Sequence, residues 1–102
     1  MKRIIKGRMY NTETATLLAS SWNGLSCRDF GYCDESLYQK RTKEFFLCGE
    51  GGPYSKYSQP WGNSGRQSGE GIIPLTLQEA KDWVEENCSA EKFIEIFGTP
   101  EE

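Results

Sequence analysis

The sequence predicts an α+β domain in which antiparallel hairpins carry helices packed on one face. Three observations lead there. Short runs of β-branched and aromatic residues, at Ile4-Ile5, Leu37-Tyr38, Phe45-Phe46-Leu47 and Ile72-Ile73, are set apart by polar residues, glycine and proline. Thr76-Leu77-Gln78-Glu79 forms a capping box, a helix start written in four residues. A chain of 102 residues, 36% hydrophobic and 13% aromatic, can fill one core and not two. The expected order is ββαββ–loop–βαα in a single domain, residues 1–102.

Residues 2–11 read as a hairpin, with Gly7 supplying the positive φ of a tight turn. Thr12 suits a helix N-cap. Ala15, Leu18, Ala19 and Trp22 then follow at i, i+3, i+4 and i+7, the spacing of one helical face, and Asn23-Gly24 ends it. After an irregular stretch anchored by Phe30 and Tyr32 comes a second hairpin, residues 36–41 and 44–48, joined by Thr42-Lys43. In that register Tyr38 faces Leu47 and Leu37 faces Cys48. Residues 49–71 hold seven glycines with Pro53 and Pro60, and read as a long Gly/Ser-rich loop. A strand around Ile72-Ile73 precedes the capped helix, with Leu75 at the staple position and Leu77, Ala80, Val84 and Trp83 as its buried stripe. Ser89 caps a last helix with an apolar face of Ala90, Phe93, Ile94 and Phe97, ended by Gly98 and Pro100. Residues 99–102 form a short acidic tail.

The chain contains no histidine. That removes the Ser-His-Asp triad, the Cys-His pair and the His-ligated zinc site, and points away from an enzyme. The four cysteines fit neither Cys-x-x-Cys pairs nor a zinc ribbon and read as free, mostly buried thiols, so no metal and no cofactor is expected. The apolar run in Met1–Lys6 is two residues, too short for a signal peptide, and no run approaches the roughly 18 residues of a membrane span. A cytoplasmic location follows as the expectation.

The net charge of -3 conceals an asymmetry. Residues 1–10 carry four cations and no acid, whereas residues 79–102 carry eight acids against two lysines. Two groups of residues suit a partner. One joins a basic hairpin tip (Lys40, Arg41, Lys43) to Tyr54, Lys56, Tyr57, Trp61 and Arg66 of the loop. Cations interleaved with rings suit stacked bases and phosphates, and equally a protein interface. The alternative is that the three rings fold back to close the core. The other group is the acidic helical surface of Glu85, Glu86 and Glu95, which suits a basic partner.

The segments Lys2–Ala15, Leu37–Leu47, Gly49–Tyr57 and Ile72–Leu75, with the core LYxKxTxEFFLxGEGGPxSKY pattern, resemble a family of small proteins carried on plasmids, prophages and conjugative elements of Gram-positive bacteria. The resemblance spans nearly the whole chain. It implies a mobile-element setting like that of anti-CRISPR proteins, small inhibitors of Cas nucleases, and assigns no site residue. Where the family pattern has glycine at the hairpin tip, this chain has Lys43. The resulting expectation is a non-enzymatic inhibitor of a host defence nuclease, a type II Cas9 effector or its guide-RNA complex. The alternative is a nucleic-acid-binding accessory protein of the element, using the basic N-terminal hairpin and the Lys40–Lys43 tip.

Overall fold

A computed structural model describes residues 1–101. Its elements are β1 (Lys2–Ile5), β2 (Arg8–Asn11), β3 (Thr16–Trp22), β4 (Cys33–Gln39), β5 (Phe45–Gly51), β6 (Gln59–Trp61), β7 (Gly65–Gln67), β8 (Gly69–Leu75), α1 (Leu77–Asn87) and α2 (Ala90–Phe97). Strands β3-β4-β5-β8 form one antiparallel sheet, and β1-β2 and β6-β7 are separate two-stranded ribbons. The α+β class is therefore as expected, and Glu102 of the acidic tail lies outside the described residues.

One face of the sheet carries the helices. Ala19, Leu37, Phe45 and Leu47 pack there against Ala80, Trp83 and Val84 of α1, with Phe93, Ile96 and Phe97 of α2 alongside. The capping box forms as read: the Glu79 N–H donates to the Thr76 hydroxyl at 3.1 Å, and the Thr76 N–H donates to the Glu79 carboxylate at 2.9 Å. The stripes differ in detail. Leu77 and Ile94 are exposed, and Ile96 takes the inward place expected of Ile94. None of the cysteines is fully buried: Cys27 is exposed, and Cys33, Cys48 and Cys88 are half-buried.

The opposite face is covered at one end by the β1–β2 ribbon. Tyr10 turns its edge to Phe46, which stacks on Tyr38, and the Lys40 ammonium sits 4.3 Å from the Tyr10 ring centre. Lys6 and Gly7, at φ 51° and 79°, make the left-handed pair of a two-residue hairpin turn.

Three sequence expectations are corrected. The helix expected from Thr12 to Trp22 is strand β3. Asn11 rather than Thr12 organises the turn before it: its side-chain oxygen accepts from Glu13 N–H and its carbonyl from Ala15 N–H. A bulge between Leu17 and Ala19 then brings Leu18 and Ala19 against the core together, which imitates helical spacing. The β4–β5 register is shifted by one residue, pairing Leu37 with Leu47 and Tyr38 with Phe46. The reason is the tip. Lys43 adopts φ 77°, and the Lys40 N–H donates to the Glu44 carbonyl, so the connection spans 40–44 rather than two residues. Finally, residues 49–71 are not one loop, since β5 runs into them, β6 and β7 pair within them and β8 begins at Gly69.

Lys43 thus stands in a backbone conformation that costs an L-residue about 1 kcal/mol. Lys43→Gly is expected to raise stability by about 0.5–1 kcal/mol after the entropic cost of glycine. Chemical denaturation measures it, and a loss of stability would contradict the strained turn.

Candidate functional site

The sheet end opposite the hairpin tip gathers most of the unused chemistry. There β4 hands two kinds of residue to its two faces. Glu35 points to the helix face and is buried at 7% exposure. Its carboxylate accepts from Tyr57 Oη at 2.7 Å, Trp83 Nε1 at 2.7 Å and Lys56 Nζ at 2.9 Å. A buried carboxylate survives only when paired and hydrogen-bonded, and this one ties the 52–58 loop and α1 to the sheet. Glycine makes the closure possible: a Cβ on Gly49 would lie 2.6 Å from the Tyr57 ring. Burial, followed by the hydrogen bond to Glu35, pushes the Tyr57 phenol well above its ordinary range.

On the other face, the register sets Trp22, Asp34, Glu50 and Glu70 in one row across β3, β4, β5 and β8. Neighbouring strands lie about 4.8 Å apart, so three carboxylates stand side by side. None of them has a Lys or Arg partner among the described residues. Tyr32 donates its hydroxyl to Glu50 at 2.9 Å, and that bond is the main cause that pushes its phenol up to about 12. Tyr32, Glu50 and Glu70 line a hollow of about 310 Å³ with Cys27, Ser68 and neighbouring glycines. Exposed rings flank this end. Phe30 and Tyr54 meet edge to face at 5.5 Å, and the Trp22 indole N–H donates to the Leu25 carbonyl. Among the described residues, no group of three or more Cys, Asp or Glu side chains converges to hold a metal ion.

The expected site residues are redistributed. Tyr57 lies in the core, so of the three loop rings only Tyr54 and Trp61 are exposed. Lys56 is committed to Glu35, and the Arg66 guanidinium donates to the hydroxyl and carbonyl of Ser58. Lys40 lies between Glu44 and Tyr10, while Arg41 and Lys43 are exposed. The tip and the rings do not meet, because seven-residue β4 separates them by about 20 Å. Glu85 and Glu86 are exposed on α1, and Glu95 reaches Lys92 at 3.5 Å. Burial pushes the thiols of Cys33, Cys48 and Cys88 up, away from the thiolate form. No helix among the described residues is long and apolar enough to cross a membrane. No family model, curated protein or solved structure matches the chain.

Two measurements probe the Glu35 junction. Glu35→Ala leaves the Tyr57 hydroxyl and Trp83 indole without their acceptor and is expected to cost upwards of about 3 kcal/mol. Glu35→Gln keeps an acceptor oxygen and costs less. Equal losses in urea melts would show that the hydrogen bonds contribute nothing beyond charge. The Tyr57 proton is held in the folded chain, while an unfolded tyrosine ionises near pH 10. Above that pH the folded state binds more protons than the unfolded state, so stability falls as pH rises. The thermal-midpoint difference between wild type and Tyr57→Phe is therefore expected to shrink above about pH 10. A constant difference would place the Tyr57 hydroxyl in solvent.

Proposed function

We propose that this chain is a non-enzymatic inhibitor that docks an acidic, aromatic-flanked surface onto a basic nucleic-acid-binding partner, as an anti-CRISPR protein would on a Cas9-type effector. The observation that carries the reading is the Asp34-Glu50-Glu70 row, three carboxylates in register on adjacent strands with Trp22 at its end. Like charges directly opposite one another in a sheet are destabilising, so a fold that keeps three in a row bears a cost, which the Tyr32 hydroxyl eases at Glu50. Arginine and lysine side chains of a partner would neutralise it.

Nuclease effectors of this kind hold nucleic acid in positively charged channels. A rigid line of carboxylates competes there for the same cations that bind phosphate, and exposed aromatic rings supply the anchors of a protein interface. Trp22, Phe30 and Tyr54 stand exposed at the same end of the sheet. The small size of the chain and its resemblance to mobile-element proteins support the defence-system setting. The absence of histidine and the raised thiols favour binding over catalysis. The acids Glu85, Glu86 and Glu95 are a rival surface on the helices.

Cas9 cleavage of a plasmid target, with and without the protein, tests the reading. Glu50→Lys is expected to abolish inhibition while leaving the thermal midpoint unchanged or raised, since it sets a cation between Asp34 and Glu70 and so relieves repulsion within the row. Reversal of Glu85, Glu86 and Glu95 is expected to leave inhibition intact. Unchanged cleavage across several type II effectors would sink the proposal, and loss confined to the helix variant would move the surface to α1 and α2.

A further inference from the structure

We infer that the β1–β2 ribbon is a second binding site, one that enters the major groove of a DNA duplex. The ribbon has two faces. Tyr10 is buried from the inner face, on Phe46. The outer face alternates with it and presents Ile4 directly across from Met9, with Lys2 across from Asn11. Ile4 is 72% exposed and Met9 51%. The two side chains make one apolar patch across the ribbon.

The surroundings of that pair decide the ligand. Lys2, Arg3 and Lys6 are exposed and have no carboxylate partner among the described residues. Arg8 reaches Glu44 at 3.0 Å, and this contact draws the ribbon to the 40–44 tip, where Arg41 and Lys43 are also exposed and have no carboxylate partner among the described residues. The acids nearby are Glu44, already shared between Arg8 and Lys40, and the exposed Glu13. Glu70 lines a hollow with Arg3 at the far margin. An apolar centre with a cationic margin complements base edges flanked by phosphates. The major groove, about 12 Å wide, admits a two-stranded β-ribbon, and its thymine methyl groups offer apolar contact. Lys2 at one end of the ribbon and Lys6 at its turn are placed for the phosphates on either side. Asn11, whose side chain could have bonded to adenine, is already engaged with Glu13, so the site reads groove and charge more than sequence.

This inference stands apart from the acidic row, and its test needs no effector. Fluorescence anisotropy with a labelled DNA duplex is read at about 50 mM salt and upwards, in parallel with the same strand unpaired and with vesicles containing phosphatidylserine. Duplex binding that weakens with salt is expected. The combined variant Lys2→Ala, Lys6→Asn is expected to weaken binding at least tenfold and flatten the salt slope by about 0.9 per cation removed. Asparagine tolerates the left-handed backbone at residue 6. Ile4→Ser with Met9→Ser is expected to weaken binding severalfold with the slope unchanged. Circular dichroism and the melting midpoint confirm folding of each, and Lys6→Asn alone serves if the double variant unfolds. No anisotropy change at low salt, equal binding to the single strand, preference for vesicles, or binding untouched by all ribbon variants would each overturn the assignment.

Discussion

A single carboxylate holds this fold's parts in relation. Glu35 sits mid-sheet on β4, where it receives the loop through Tyr57 and Lys56 and the helix through Trp83. A lone buried charge would be untenable, and its three donors come from two segments, residues 56–57 and α1, that lie far from β4 in sequence, so each needs the other in place. The arrangement explains features that look unrelated. Gly49 lacks a side chain because the Tyr57 ring occupies that space. Lys56, though half exposed, does not act as a surface cation. Asn87 extends the junction by accepting from Ser21 and donating to the Trp83 carbonyl, which ties the end of α1 to edge strand β3.

The junction also fixes what the rest of the loop can present. With Tyr57 drawn inward, the backbone between Gly52 and Tyr54 is held against the 30–32 segment by Gly52 N–H to Tyr32 and Tyr54 N–H to Phe30. Tyr54 therefore points outward from a braced backbone, and its ring is met by Phe30 rather than left to move alone. Rings held in this way lose little entropy when a partner binds.

Most of the fold was legible where the signal is local. The Lys6-Gly7 turn, the Thr76–Glu79 capping box and the Ser89 cap each depend on a few adjacent residues, and each is found where the sequence places it. Signals that depend on distant partners were not. Spacing alone made Ala15–Trp22 helical, because the Leu17–Ala19 bulge and the pairing with β4 are invisible until the partner strand is known. The glycines of 49–71 read as loop, since nothing local says that Gly49 and Gly51 lie in a strand beneath other side chains. The candidate site suffered most from the hairpin tip. A register slipped by one residue sets Glu35 opposite Glu50 on one face, whereas the true register sends Glu35 inward and aligns Asp34 with Glu50. The acidic row was hidden by that slip together with the missed Glu50–Glu70 pairing.

The same register explains how an acidic protein can carry two surfaces of opposite sign. Along β4 and β5, one end of the outer face holds Tyr38 and Phe46, apolar rings that require a cover, and the other holds Asp34 and Glu50, which require solvent or a cation. The β1–β2 ribbon covers the first end with Tyr10 and stops short of the second. Lys2 therefore stands on the outer face and Lys6 at the turn, while Arg3 lies on the inner face at the margin of the hollow that Glu70 lines. No ion pair joins Lys2, Lys6, Arg41 or Lys43 to Asp34, Glu50 or Glu70 among the described residues. Lys2 and Lys6 on one side and Asp34 and Glu50 on the other are held apart by packing. That separation leaves each set available to a partner of opposite charge, and a nucleoprotein complex displays both kinds.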